Sequence, residues 1–191
     1  MTAMGRIKTV SDRQALDILL RAIEATGPDR LTFSKASAAV GLSSATLVQR
    51  FGTRDAMIEA VLLHAWDRLD TLTSAADAEA SSTPAGAIAL LLRLTPGRTA
   101  EHDVTEGLLL LREDFRNPRL RARGRAWGEY LAKALGNRLA PQSGSAEQTG
   151  WQMLAIWQGA IIWCAFKRIG DPEEEVRTAL ERWWQSMNQR P

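Results

Sequence analysis

Two short helical patterns meet at Gly41, with small residues on both sides of the glycine. Thr32 is placed to cap the first pattern, and Gly41 is placed to end it, because glycine adopts a positive φ without steric penalty. Ser43 then offers its hydroxyl to the free N–H groups of the second helix. Leu47 and Phe51 are four residues apart, so they share the inward face of that helix. This arrangement predicts a helix-turn-helix.

The outward face of the second helix carries small and hydrogen-bonding side chains. At about 100° per residue, Ala45 and Gln49 lie at the centre of this face, and Thr46 and Val48 flank them. A short helix with such a face fits the DNA major groove, where side chains read base edges. The pattern therefore predicts a DNA-reading helix, and a three-helix packing unit without DNA contacts is the alternative.

The segment GLSSATLVQRFGTRDAM, residues 41–57, resembles the N-terminal DNA-binding domain of TetR-family transcriptional regulators. Its Leu31-Thr32-Phe33 lead-in and a helix ending near Gly27 add to the resemblance, which extends in outline to the helical remainder. The resemblance implies a dimer that pairs through its last two long helices. Two positions depart from the family pattern: Val48 stands where the family usually has Tyr, and Ser44 where it often has Lys. Both changes remove a contact to the DNA backbone.

The predicted DNA contacts combine base readers with groups that would hold phosphates. Gln49 is expected to pair with an adenine edge, and Ala45 and Thr46 to contact a thymine methyl. Residues 1–60 hold eight cations and six anions and the remainder is balanced, so the net charge of +2 lies in this segment. The predicted DNA-binding residues are Thr32, Lys35, Ser43, Ser44, Ala45, Thr46, Gln49, Arg50 and Arg54.

Helical periodicity continues along the whole chain, and no strand pattern interrupts it. The predicted helices cover about 11–25, 32–40, 43–51, 53–75, 83–94, 101–115, 118–139, 146–169 and 172–187. The expected fold class is all-α. Residues 1–55 are predicted to form the three-helix helix-turn-helix domain, and residues 56–191 a helical effector-binding and dimerisation domain.

The stretch 148–166 contains no charged residue and approaches the ~20 apolar residues that a membrane-spanning helix needs. Gln148, Gln152 and Gln158 instead favour a buried helix of a helical bundle, so no membrane partner is expected. The single cysteine, Cys164, excludes an internal disulfide. Together with an N-terminal segment that lacks a signal-peptide pattern, this indicates the cytoplasm.

Trp151, Trp157 and Trp163 are spaced six residues apart, so they point in three directions about 120° from one another. One buried stripe cannot hold all three, and a second subunit is the natural cover for one face. A monomer with surface tryptophans is the alternative. The predicted homodimer interface contains Gly159, Trp163, Phe166, Trp183 and Trp184.

Aromatic and apolar side chains of the fifth to eighth helices are candidates to line a pocket for a largely apolar small molecule, because such pockets carry few polar groups. The same spacing also fits a plain core. The candidates are His102, Glu106, Phe115, Trp127, Tyr130, Met153 and Trp157. Five arginines between positions 116 and 125 are expected on a solvated surface, since their spacing spreads them around a helix.

Together with these patterns, the resemblance implies a dimeric TetR-like repressor that reads a palindromic DNA operator, with half-sites about one helical turn or a small multiple apart, and that is released by a small-molecule effector. A helical dimer that binds a small molecule or protein and has lost DNA binding is the alternative, which Val48 and Ser44 favour. An enzyme is disfavoured, because His64, His102 and Cys164 are scattered and no phosphate loop or metal-ligand spacing occurs. No metal or cofactor is expected.

Overall fold

The computed structural model of the chain describes residues 10–95, 110–140, 144–167 and 171–188. Within those ranges it contains nine α-helices, a short 3-10 turn at Pro28–Arg30 and no strand, which confirms the all-α class. The helices are α1 Asp12–Thr26, α2 Phe33–Val40, α3 Ser44–Phe51, α4 Arg54–Glu79, α5 Pro84–Arg93, α6 with its described part at 110–116, α7 Pro118–Leu139, α8 Ala146–Lys167 and α9 Pro172–Asn188.

Most helices begin where a side chain accepts a hydrogen bond from the first turn. Ser11 and Gln14 form a reciprocal capping box at the start of α1. Thr83 caps α5, and Asn117 caps α7, each followed by proline at the first helical position. These local signals explain why the predicted starts of α1, α5 and α7 lie close to the observed ones.

The C-terminal end of α4 lies at Glu79, beyond the predicted end near residue 75. Arg138 of α7 donates to the carbonyl oxygens of Asp77, Ala80 and Ser81, at 2.8, 3.1 and 3.0 Å, and to the Asp77 carboxylate at 2.7 Å. Carbonyls at a helix end have no partner within the helix, and a guanidinium satisfies several of them at once. The extra turn therefore depends on a residue about sixty positions away, which periodicity could not reveal.

The chain divides into two compact units at Ala65, inside α4. The first unit contains α1, α2, α3 and the beginning of α4. Its fully buried side chains include Leu19, Ile23, Leu47 and Met57. The expected domain boundary after residue 55 precedes this division, because the beginning of α4 is bonded to the first unit: His64 Nε2 lies 2.8 Å from Asp17 Oδ1.

The second unit contains the rest of α4 and α5 to α9, and its core is built mainly from leucines of α5 and α7 and apolar residues of α8 and α9. The backbones of α7 and α8 touch directly. A Cβ on Gly150 would overlap the carbonyl oxygen of Ala132, and one on Gly136 would overlap that of Ala146. None of the described helices is both long and apolar enough to cross a membrane.

Three tryptophans form a row through the second unit. The ring centroids of Trp66 and Trp127 lie 6.0 Å apart, and those of Trp127 and Trp157 lie 6.4 Å apart. Each indole N–H has an acceptor, which buried tryptophans require: Asp114 at 3.0 Å for Trp66, and threonine hydroxyls at 2.9 Å for the other two. Burial raises the pKa of Asp114, and the hydrogen bond from Trp66 partly offsets that effect.

Candidate functional site

The helix-turn-helix forms from the predicted caps, all of which are confirmed. Thr32 Oγ1 accepts from the backbone N–H of Lys35 at 3.3 Å, and Ser43 Oγ accepts from that of Thr46 at 3.1 Å. Gly41 ends α2 in the left-handed conformation, with φ of 76°, and its N–H bonds to the Ser37 carbonyl. This geometry sets the turn between α2 and α3.

The inward and outward faces of α3 separate as predicted. Leu47 is fully buried, and Phe51 is half-buried. Ala45, Val48 and Gln49 are exposed on the opposite side. These three residues form one solvent-facing surface, which we call the α3 outer face. It contains two of the predicted base-reading side chains, Ala45 and Gln49, whereas the third, Thr46, is half-buried.

The hydroxyls at the start of α3 are already engaged within the protein. Ser43 Oγ and Thr46 Oγ1 lie 2.8 Å apart, and Ser44 Oγ donates to the Phe33 carbonyl at 3.4 Å. Lys35 is exposed on α2. The N-terminal part of α2 thus offers the cation Lys35, and α3 offers its own N-terminus, beside the α3 outer face.

The structure gives Arg54 a role that differs from the predicted phosphate contact. Its Nε donates to the carbonyl of Leu31 at 2.7 Å, and one terminal nitrogen donates to the carbonyls of Pro28 and Asp29 at 2.8 and 2.9 Å. Arg54 is the first residue of α4, where a cation is unfavourable beside the positive end of the helix dipole. This unusual position was the sequence signal that the side chain has a structural role. Arg54 fastens the segment before α2 to the start of α4.

Arg50 is also bonded within the protein, although more loosely. One terminal nitrogen donates to the carbonyl of Val10 at 3.0 Å, and the other lies 3.2 Å from the Asp12 carboxylate, which is largely exposed. Exposed ion pairs contribute about 0–1 kcal/mol, so this pair can exchange for another anion.

Replacing Arg54 by alanine is expected to lower the free energy of unfolding of the protein by about 3 kcal/mol, because three carbonyls lose a charged donor. Lysine at the same position should recover only part of the loss, since it lacks the planar fork of donors. Urea unfolding followed by circular dichroism measures the effect, with Lys35→Ala as the exposed control. Unchanged stability of the Arg54→Ala variant would contradict this structural role and would again favour a phosphate contact for Arg54.

A surface pocket of about 290 Å³ lies in the second unit, between α4 and α7. Its volume is near the lower end of the range for small-molecule sites, about 300–1,000 Å³. The described residues that line it are Asp70, Thr73, Ser74, Arg123, Ala126, Trp127 and Tyr130.

Two carboxylates at this pocket share one guanidinium group. The same terminal nitrogen of Arg123 lies 2.6 Å from Asp67 Oδ1 and 2.7 Å from Asp70 Oδ2. Arg123 was expected among the solvated arginines, and its pairing with α4 corrects that expectation. The signal for it was the spacing of Asp67, Asp70, Ser74 and Asp77, which share one face of α4.

The two aromatic side chains of the pocket are held in fixed positions. Trp127 Nε1 donates to Thr73 Oγ1 at 2.9 Å, and this buried hydroxyl donates in turn to the Leu69 carbonyl. Tyr130 donates its hydroxyl to Asp77 Oδ2 at 2.7 Å. That hydrogen bond, followed by burial, raises the pKa of Tyr130, so the hydroxyl keeps its proton.

The predicted effector residues separate into different environments. Trp127 and Tyr130 line the pocket, whereas Met153 and Trp157 are buried in the core and Phe115 is 64% exposed. His102 and Glu106 lie outside the described residues. The sequence analysis placed pocket candidates only on the fifth to eighth helices, so Asp70, Thr73 and Ser74 of α4 were missed, and Arg123 of α7 was assigned to the solvated surface.

The outer side of α8 carries an exposed apolar stripe. Gly159, Ile162, Trp163 and Phe166 follow the i, i+3, i+4, i+7 spacing of one helix face, and we call them the α8 apolar face. Trp163 is 62% exposed and Phe166 73%, with ring centroids 5.6 Å apart, and a Cβ added to Gly159 would meet no atom within 4 Å. The sequence analysis did not name Ile162, although its position three residues after Gly159 and four before Phe166 places it on this helix face.

The other two predicted interface residues, Trp183 and Trp184, are half-buried on α9. They pack against the core of the second unit. Within the part of the chain that the structure describes, no group of three or more His, Cys, Asp or Glu side chains is placed to hold a metal ion.

No family model and no curated protein matches this sequence. Solved structures share the fold: one described as a TetR-family transcriptional regulator from Rhodococcus sp. is 22% identical, with a TM-score of 0.64 over 92% of this chain and 95% of that one. A TetR-family regulator from Streptomyces coelicolor is 19% identical, with a TM-score of 0.67 over 90% and 93%. A protein from Saccharomonospora viridis, described as a transcriptional regulator in complex with choline, is 17% identical, with a TM-score of 0.72 over 91% and 94%. The chain has the fold of TetR-family transcriptional regulators.

Proposed function

We propose that the protein is a transcriptional regulator, a dimeric repressor that binds a palindromic DNA operator in the cytoplasm and is released by a small-molecule effector. The α3 outer face carries this proposal: Ala45 and Gln49 are exposed together while Leu47 on the opposite side is fully buried. A short capped helix presenting such a face has the dimensions of a major-groove reader. The shared fold with transcriptional regulators supports the same function.

In this proposal the contacts divide into reading and positioning. Gln49 pairs with an adenine edge, and Ala45 and Thr46 contact a thymine methyl. Lys35 and Arg50 hold phosphates, as do the N–H groups and hydroxyls at the start of α3. Thr32 supports α2 as its cap. Arg54 is a positioning residue, since its donors are used within the protein.

The dimer in this proposal forms through the α8 apolar face, with the half-buried Trp183 and Trp184 beside it on α9. A two-fold interface places identical surfaces against each other, so two helix-turn-helix units then read two identical half-sites. The pocket between α4 and α7 is the proposed effector site. That the Saccharomonospora viridis protein holds choline supports a small-molecule ligand for this fold.

Selection from a pool of random DNA duplexes at two salt concentrations tests the proposal. We expect enrichment of a two-fold symmetric site, with affinity that falls as salt rises because phosphate contacts release counterions. No enrichment at low salt would contradict DNA binding and favour a helical dimer that binds a small molecule or protein instead.

Replacing Gln49 by alanine is expected to relax base preference at one position of each half-site, by about 1–3 kcal/mol, because a bidentate contact to adenine is lost. Lys35→Ala should instead weaken binding to all sequences and lower the salt slope by about one. Sequencing of retained duplexes measures both effects. Glu129→Gln on α7, outside both the helix-turn-helix and the α8 apolar face, is the control. Unaltered preferences in Gln49→Ala would show that this side chain does not read bases.

A further inference from the structure

The pocket between α4 and α7 has aromatic walls, and a second carboxylate, Asp67, lies beside its lining residues Asp70 and Arg123. We propose that it binds a small organic cation of the alkylammonium class, and that this cation is the effector. The inference deepens the proposed function, and it rests on that function only for the release of DNA.

The charges around the pocket do not cancel. Asp67 and Asp70 both pair with Arg123, through the same terminal nitrogen, so these three groups carry one net negative charge. Asp77, which Tyr130 contacts, is paired separately with Arg138 at 2.7 Å. The pocket therefore favours an incoming positive charge over a negative one.

Aromatic faces add a second attraction for the same kind of ligand. A cation placed over a tryptophan or tyrosine ring is attracted by the negative face of the ring, and this is how proteins commonly recognise quaternary ammonium groups. Trp127 is fixed by Thr73 and by the neighbouring rings of Trp66 and Trp157, and Tyr130 is fixed by Asp77. Because the walls are already ordered, binding loses little side-chain entropy.

Other ligand classes fit this lining less well. Among the described residues that line the pocket, Arg123 is the one cation, and an anion that reached it would lie beside Asp67 and Asp70, whose like charges repel it. A wholly apolar ligand would remove water from these charged groups without replacing its hydrogen bonds. An ammonium group approaches the carboxylates directly and leaves its alkyl groups against the rings.

Isothermal titration calorimetry on the full chain tests the assignment with choline and tetramethylammonium chloride as probes. The uncharged carbon isostere of choline, 3,3-dimethyl-1-butanol, has nearly the same shape, so it isolates the contribution of charge. We expect saturable binding of both cations, and binding of choline at least about tenfold tighter than that of the isostere. Failure of both cations to bind, or equal binding of the isostere, would overturn the inference.

Charge variants give opposite expected shifts. Asp70→Asn should weaken choline binding about fivefold, whereas Arg123→Gln should strengthen it about fivefold, because it exposes two carboxylates. Glu129→Gln changes an exposed carboxylate on α7 outside the lining and should leave affinity unchanged. Circular dichroism establishes that each variant is folded. Weaker choline binding in Arg123→Gln would show that the carboxylates released by this change do not attract the ligand, and it would refute the proposal.

A second measurement separates this inference from the proposed function. Operator binding is measured with and without choline, on duplexes that the selection enriches. Choline binding that lowers operator affinity supports the inference, and choline binding without that effect refutes the effector role. If the protein binds DNA but neither cation, the inference of a cation pocket is wrong and the proposed transcriptional regulator is still supported. If choline is bound but no DNA site is enriched, the regulator fails while the cation pocket stands.

Discussion

Gly150→Ala is expected to lower the free energy of unfolding of the protein by about 3 kcal/mol. On an isolated helix the same change would stabilise by about 1 kcal/mol, because alanine is the better helix former. Here the added Cβ overlaps the carbonyl oxygen of Ala132, a backbone atom of α7 that cannot rotate away. The two helices must therefore separate, and the core side chains Leu131 and Met153 lose their packing.

Urea unfolding followed by circular dichroism measures this loss. Gln158→Ala, on the exposed side of the same helix, is the control and should change stability by only a few tenths of a kcal/mol. Gly136→Ala should behave like Gly150→Ala, since it meets the carbonyl of Ala146. A stabilised Gly150→Ala variant would mean that α7 and α8 pack less closely than the structure has them.

Features that depend on neighbouring residues were predicted from the sequence. Thr32 and Ser43 cap their helices as predicted, because a cap needs only a hydroxyl two or three residues before an N–H group. The two faces of α3 were predicted for the same reason, since a helix of fixed period assigns each side chain a direction. The sequence therefore predicted nearly all of the local structure of the helix-turn-helix.

Features that depend on residues far apart in the chain were not predicted from the sequence. Arg54 stands beside the helix-turn-helix in sequence, and only the fold shows that its donors reach the carbonyls of Pro28 and Leu31. The pocket has the same origin: more than fifty residues separate Arg123 from its carboxylate partners. Charge pairs of this kind leave no periodic pattern, so the sequence could present Arg123 only as one of several arginines.

For the tryptophans of α8, the sequence predicted their directions correctly but overestimated the surface that they leave exposed. Their predicted three directions are confirmed, since Trp157 is buried while Trp151 and Trp163 are exposed on different sides. Part of Trp151 packs within its own unit, because its ring lies against Gly128 of α7. The count of tryptophans therefore overstated the exposed apolar surface of this helix, and the proposed dimer surface is limited to the α8 apolar face.

Replacing both Trp163 and Phe166 by glutamate is expected to convert the proposed dimer to a monomer and to weaken operator binding by about a hundredfold or more. Burial of a large apolar side chain stabilises by about 1.5–3 kcal/mol, and a two-fold interface counts each residue twice. The glutamates would also bring like charges together across the symmetry axis. A monomer binds one half-site at a time and loses the effective concentration that links the two.

Sedimentation equilibrium measures the association state, and titration of the enriched operator measures the affinity. Phe115→Glu is the matched control, because Phe115 is exposed to a similar extent but belongs to α6 and not to the α8 apolar face. A double variant that stays dimeric would place the interface elsewhere. A monomeric variant that still binds the palindrome as tightly as the unchanged protein would show that pairing through α8 does not contribute to DNA recognition. Loss of both dimer and operator affinity, with the circular dichroism spectrum unchanged, would connect the two exposed aromatic rings of α8 to the reading of DNA by α3.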